Sequence, residues 1–243
     1  MDPWRSVEIG GKLADVFEPG GEAPRFGVIY LHTFAQESLA GNDVFTRLFD
    51  ESTLACVAPR GGRCWWTDRV CAEFDANLTP ERYVLDSVLP VVRERWNLGP
   101  RGVGLLGIDM GGQGALRLAL KTPETLPVVV AIAPSIEYHE LYWSGTPIDA
   151  MYASKEECRQ DTAPMHIHPT NFPPHIFFAC DPADPWWRGC DRLHEKLSAL
   201  GVAHECDLQT RAGGHTWDYF NSMAGRAVRF LVAGLEREAR RLL

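Results

Sequence analysis

The stretch LLGIDMGGQGALRLAL, residues 105–120, decides how the rest of the chain is read. Its apolar start, Leu105 to Ile108, reads as the end of a buried strand, and the residues after the glycines carry apolar side chains at helical spacing. Between the two lies Asp109, with Gly107 two positions before it and Gly111 two positions after. A sharp strand-to-helix turn that lifts one side chain clear of a sheet needs glycines there, because strand, turn and helix pass close together. Asp tolerates positive φ better than most residues, so the strained conformation stays accessible. As a plain helix cap, Asp109 would accept a backbone N–H and meet the positive end of the helix dipole, worth about 1 kcal/mol. Capping alone does not require both glycines.

Outward from this turn the chain alternates between strands and helices. SVEIGG and KLADVF, on either side of Gly10 and Gly11, read as a β-hairpin. FGVIYLH (26–32), TLACVAP (53–59), LPVVVAIAP (126–134) and HIFFACDP (175–182) are apolar runs of the kind covered on both faces, and VAHECDLQT is a further strand. DVFTRLFDES, residues 79–96, WWRGCDRLHEKLSALG and the amphipathic tail read as helices. Thr79 caps the second of these, Pro80 starts it, and Pro90 should bend it or cost it one hydrogen bond. The alternation predicts an α/β fold, a mostly parallel central sheet with helices on both faces. Residues 135–174, rich in aromatics and prolines, interrupt it and read as an insertion over the sheet's C-terminal edge, with one short helix near 150–160. With 243 residues and no repeat, low-complexity run or linker, a single domain over 1–243 is expected.

Formal net charge is −8 with the acids spread along the chain, which argues against nucleic-acid binding. The N-terminus lacks a signal-peptide pattern, and no apolar run approaches the roughly 18 residues of a spanning helix. Seven cysteines without a C-x-x-C pair suit reduced thiols. The expectation is a cytoplasmic protein acting on a small-molecule substrate or ligand, without nucleic-acid or membrane partners, as a monomer or a homo-oligomer. No cofactor is implied, and no metal: His166 and His168 form an H-x-H pair lacking a nearby third ligand.

GIDMGGQGAL resembles the G-x-S-M-G-G-x-G-A-L motif of the α/β-hydrolase superfamily's esterase group that includes esterase D, or S-formylglutathione hydrolase. Aspartate stands where those enzymes carry the nucleophilic serine. RAGGHTWDYF (211–220) is similar to their late G-x-H-x-W-x-Y/F motif, which supplies the catalytic histidine. In order along the chain, the resemblance covers nearly all of it and implies the α/β-hydrolase fold, with Asp109 at the nucleophile elbow and His215 as base. His215 also reads as a loop histidine packed by Trp217. An orienting acid should lie between HIFFAC and His215, where Asp181, Asp184 and Asp191 qualify. Asp184, 31 residues before His215, has a spacing similar to esterase D-like chains and is preferred, with Asp181 its rival. Turn and cap roles are the plainer readings of that pair.

The oxyanion hole of this architecture uses the N–H after the elbow residue, here Met110, and one from an early loop, here Thr33 or Phe34 in HTFAQ. An ordinary strand-to-helix connection would have a similar sequence. His32, Trp65, Trp66, Trp143 and Trp186 are candidate pocket residues, although aromatics more often pack a core. Arg63, Asp68 and Arg69 read as polar substrate contacts or as solvated ion pairs.

A carboxylate attacking an ester carbonyl would form a mixed anhydride and, being the better leaving group, would be expelled again. Ordinary serine-type esterase activity is therefore expected to be weak or absent. Attack on a saturated carbon instead leaves an alkyl ester that water activated by His215 can hydrolyse, the route of haloalkane dehalogenases and epoxide hydrolases. Direct activation of water for ester cleavage should be slow, because a carboxylate beside His215 holds the imidazole charged. The expectation is an atypical esterase-like hydrolase acting on a small ester or an alkyl substrate through Asp109 and His215. The alternative is a non-catalytic pseudo-hydrolase that binds a ligand or partner.

Overall fold

The apolar runs become strands of one sheet in a computed structural model that describes residues 3–241. In chain order the strands are β1 (Trp4–Ile9), β2 (Lys12–Phe17), β3 (Phe26–Leu31), β4 (Leu54–Pro59), β5 (Val103–Ile108), β6 (Val128–Ile132), β7 (His175–Ala179) and β8 (Glu205–Asp207). Their spatial order is β1-β2-β4-β3-β5-β6-β7-β8. β2 pairs antiparallel with both β1 and β4, and every pairing from β4 through β3 to β8 is parallel. The sheet is therefore the mostly parallel one that the alternation predicts.

Burial on both faces explains the continuous apolar runs. Within β3, Ile29 and Leu31 join one core while Val28 and Tyr30 join the other; Leu105 and Leu106 of β5 divide the same way. One face is covered by α4 (Met110–Lys121), packed on β5 and β6, and the other by α8 (Trp217–Arg241), packed on β5, β6 and β7. α1 (Asp43–Glu51) rests on α8, and Asn42 caps it by accepting the N–H groups of Val44 and Phe45.

The helix expected over 79–96 begins as read, with the Thr79 hydroxyl accepting Arg82 N–H before α2 (Pro80–Tyr83). It then widens into a π-helical turn over Val84–Val88, where Leu89 N–H reaches Val84 O, before α3 (Leu89–Arg95). Pro90 has no N–H to offer, and the wider turn just ahead of it absorbs that loss without ending the helix.

The insertion differs from its expectation in detail. It holds two short helices, α5 (Ile148–Met151) and α6 (Lys155–Gln160), and two 3₁₀ turns, rather than one helix. Polar contacts with α4 fix it: Gln113 Oε1 accepts Ala163 N–H at 2.7 Å, and the buried Arg117 is ion-paired with Asp161 and Glu81. α7 (Trp187–Ala199) follows β7, and the chain turns at Gly201 to enter β8. Among the described residues no helix is long and apolar enough to cross a membrane.

Candidate active site

Asp109 stands at the bend between β5 and α4 with φ 56° and ψ −119°. Two close approaches make this turn. A Cβ on Gly111 would lie 1.9 Å from Leu31 O, and one on Gly107 would lie 2.0 Å from Gly111 O, so neither position admits a side chain. The backbone is pinned as well: Asp109 N–H donates to Ile132 O at 3.0 Å, and Asp109 O accepts the N–H groups of Gln113 and Ser135 at 3.1 Å each.

The Asp109 side chain makes no capping bond to α4, which removes the helix-cap reading. Its Oδ2 accepts the backbone N–H of Phe34, in the loop after β3, at 2.8 Å. Its Oδ1 accepts the hydroxyl of the buried Ser135 and lies 3.5 Å from His215 Nε2. On the far side of the ring, His215 Nδ1 meets Asp184 Oδ2 at 2.7 Å. The structure thus brings Asp109, His215 and Asp184 into one line.

Asp184 and its rival have separate jobs. Asp184 follows β7 in a turn, and its Oδ1 accepts Trp186 N–H at 2.8 Å while Oδ2 faces the imidazole. Asp181 accepts the N–H groups of Ala183, Ala212 and Gly214 at 2.8, 2.6 and 3.0 Å. It therefore anchors the loop that presents His215 without touching the ring. Asp191, the third candidate, lies on α7.

Electrostatics tie the three groups together. Burial alone would push the His215 imidazole down, but the hydrogen bonds and charges of Asp109 and Asp184 outweigh it and hold the ring up at about 10. Burial would likewise raise Asp109, yet the charged imidazole, the Ser135 hydroxyl and the Phe34 N–H keep it below the usual aspartate range. At neutral pH the Asp109 carboxylate therefore faces an imidazolium.

Of the oxyanion candidates, Phe34 N–H is already engaged by Asp109 itself. Met110 N–H belongs to the first turn of α4, where no intrahelical acceptor exists. Thr33 is occupied differently, its hydroxyl donating to Glu37 at 3.1 Å and its carbonyl accepting Gln36 N–H at 2.9 Å.

A cavity of about 440 Å³ opens beside Asp109 and His215, walled by Phe34, Trp65, Leu141, Trp186, Trp217 and Phe220, with Glu37 as its other acid. Trp65 and Trp186 line it as expected from the sequence. Three other candidates do not. Trp66 is wholly buried, with its Cβ 2.4 Å from where a Gly114 side chain would begin, so it packs α4 rather than a ligand. His32 is buried away from the cavity, its Nε2 accepting Gly61 N–H at 2.9 Å and its Nδ1 bonded to Thr33 O at 2.8 Å. Trp143 is 80% exposed on the insertion, edge-on to Tyr142. Arg63, Asp68 and Arg69 are engaged in surface pairs with Glu73, with Thr79 and Lys121, and with Glu157.

Sequence reasoning missed Ser135, Glu37 and Phe220. Ser135 had a discernible signal, since it lies in the loop leaving β6, at the same sheet end as the elbow. Glu37 and Phe220 had none, because a short loop and a helix turn converge on the cavity only after folding.

Comparison with known proteins bears on the family and the fold. Residues 24–230 match a family model described as "Putative esterase". Esterase Rv0045c of Mycobacterium tuberculosis is 33% identical over 118 residues, which are 48% of this chain and 35% of that protein, so the match spans only about a third of the relative's length. Among solved structures, an S-formylglutathione hydrolase from Agrobacterium tumefaciens superposes with a TM-score of 0.79 at 16% identity, covering 96% of this chain and 94% of that one. The Staphylococcus aureus fluorophosphonate-binding serine hydrolase F superposes with a TM-score of 0.77 at 16% identity, covering 95% and 99%. At such identities the two structures speak for the fold.

Proposed function

Because the chain belongs to the Putative esterase family, we propose that it is an atypical hydrolase of small molecules in which Asp109, rather than a serine, is the reacting group. The observation that carries this reading is the setting of the Asp109 carboxylate. One oxygen is held by Phe34 N–H, and the other faces His215 Nε2 at 3.5 Å beside an apolar cavity. A carboxylate so held is oriented to attack a saturated carbon and poorly suited to acyl transfer.

The charge of His215 fits two successive steps. In the first, an Asp109 oxygen forms a bond to the substrate carbon as the bond to the leaving group breaks, and the leaving group departs with the electron pair. The Asp109 carboxylate becomes a neutral ester, so one of the two carboxylates that held His215 charged is lost and the ring gives up its proton more readily. His215 then gives its proton to a basic leaving group or to solvent. In the second step the neutral imidazole takes a proton from water, and the hydroxide attacks the ester carbonyl of Asp109. Phe34 N–H and Met110 N–H face the developing oxyanion. Collapse releases the alcohol, which takes the remaining carboxyl proton, and restores carboxylate and imidazolium.

A second reading has support from one observation: both Asp109 oxygens are engaged and His215 is ion-paired on both sides. A site so satisfied suits a non-catalytic binding protein.

Single turnover in heavy-oxygen water distinguishes the two, with a short primary haloalkane and a terminal epoxide as probes. The hydrolase reading expects label in the Asp109 carboxylate and a trapped alkyl adduct in His215→Gln. Failure of either probe to alkylate Asp109 in both proteins would overturn it in favour of the binding protein.

A further inference from the structure

Away from the Asp109 cavity, three nitrogen and sulfur donors converge at the edge of the sheet. His194 of α7 places Nδ1 2.8 Å from His204 Nε2 and 3.4 Å from the Cys206 sulfur. All three ligand atoms lie within 4.8 Å of one another, and among the described residues this is the one such group of histidines, cysteines and acids. Its origin is local. His204 immediately precedes β8 and Cys206 lies within it, two residues on, while His194 lies on the helix leading into that strand.

The orientation of the donors is set from behind. His204 Nδ1 is bonded to Val202 O at 2.8 Å, so its proton sits there and Nε2 presents a bare lone pair to the cluster. The same ring lies flat on Phe178, with 5.9 Å between centroids and 11° between planes. A backbone carbonyl fixing the outer nitrogen of a histidine is the usual support of a metal ligand. Of the carboxylates that bear on the Cys206 sulfur, Asp207 is paired with Arg226 at 2.8 Å, which leaves Asp191 as the negative charge facing the group.

We propose that His194, His204 and Cys206 form a binding site for a divalent late-transition-metal ion, Zn²⁺ by its donor set, with the fourth position left to water. Tetrahedral Zn²⁺ separates two nitrogens by roughly 3.3 Å and a nitrogen from a sulfur by roughly 3.6 Å. The sulfur distance nearly meets that, and the two histidines need to part by about half an ångström. All three side chains are half-buried, so small rotations suffice. The site is independent of the chemistry at Asp109. Its consequence is mechanical: an ion there ties α7 to β8 just ahead of Asp207, whose carboxylate accepts the N–H groups of Gln209 and Thr210 at the root of the His215 loop.

The test uses the full chain, stripped by a chelator and titrated with Zn²⁺ against a chromophoric competitor, then with Co²⁺ to read thiolate-to-metal charge transfer. One equivalent should bind, with the charge-transfer band lost in Cys206→Ser. Zn²⁺ affinity should fall at least about tenfold in His194→Gln and in His204→Gln. A thermal midpoint that rises with Zn²⁺ in the parent protein but not in Cys206→Ser gives a second reading on folded protein. Absence of stoichiometric binding, or binding that survives all three substitutions, would refute the site.

Discussion

The backbone N–H of Phe34 donates to the Asp109 carboxylate at 2.8 Å, so the elbow side chain itself occupies a donor that in this architecture stabilises an oxyanion. A serine hydroxyl at position 109 would be one branch shorter and would leave that N–H facing the cavity. On the proposed function the aspartate therefore changes two things together: the atom available for attack and the donor available to an incoming carbonyl.

Replacing Asp109 by Ser should reverse both. Phe34 N–H is freed, and His215 loses one of its two carboxylate partners, so its pKa falls from about 10 and a base returns to neutral pH. Cleavage of a chromogenic acetate should rise at least about 100-fold over the parent, the scale of one oxyanion-hole donor. Steady-state kinetics check this. Continued silence of a folded Asp109→Ser protein would mean that the acetate cannot reach the line formed by residues 109, 215 and 184.

Folding stability should carry the signature of the imidazolium. His215 is held at about 10 in the fold against an ordinary 6.5. Below pH 6.5 both folded and unfolded chains are protonated there, and the contribution is fully present. Above it the unfolded chain releases the proton first, so stability falls with pH, by at most about 1.4 kcal/mol per pH unit, until the folded ring titrates near 10. Asp109, held low, loses its contribution in the opposite direction, as pH falls below the usual aspartate value of 3.8. Urea melts between pH 6 and 10 should show the decline in the parent and a shallower one in Asp109→Asn. An NMR titration should place His215 lower in that variant.

How much of this was legible depended on how local the cause was. The glycines at 107 and 111 reveal the elbow because the close approach acts on the residues nearest Asp109. Chain order admits Asp181, Asp184 and Asp191 alike, and only the 31-residue spacing to His215, similar to that of esterase D-like chains, singles out Asp184. Trp66 and His32 were misplaced because a loop tryptophan packing α4 and one facing a ligand have the same sequence, and only the Gly114 contact separates them. The course of the insertion is pinned by Asp161 on Arg117 and Ala163 on Gln113 rather than by any periodicity. The His194, His204 and Cys206 group escaped notice because its members come from a helix and a strand, whereas the conspicuous His166 and His168 do not converge: His166 meets Asp161 at 3.3 Å and His168 bonds Thr170.

Ser135 should matter to the charge state of the elbow. Its hydroxyl donates to Asp109 Oδ1 and is fully buried. Ser135→Ala removes a donor from a buried carboxylate, which should raise the Asp109 pKa and cost roughly 1–3 kcal/mol at pH 7. Urea denaturation reads the loss, and the acid-unfolding midpoint should move to higher pH. An unchanged midpoint would show that His215 and Phe34 alone hold the carboxylate ionised.

The elbow's dependence on glycine can be separated from general sensitivity by a matched pair. At Gly111 a methyl group would meet Leu31 O at 1.9 Å and His32 O at 2.7 Å, and these are backbone atoms of β3 and its exit, which no rotamer change can clear. To accept it, α4 must lift from β3, carrying Asp109 away from the Phe34 N–H. Gly111→Ala should therefore cost more than about 4 kcal/mol or prevent folding. Gly99→Ala places its methyl where nothing lies within 4 Å, and should stay within about 0.5 kcal/mol of the parent. Equilibrium urea unfolding of the two side by side decides the matter. Equal stability would mean that α4 does not run so close to β3 and that the elbow holds Asp109 by some other constraint.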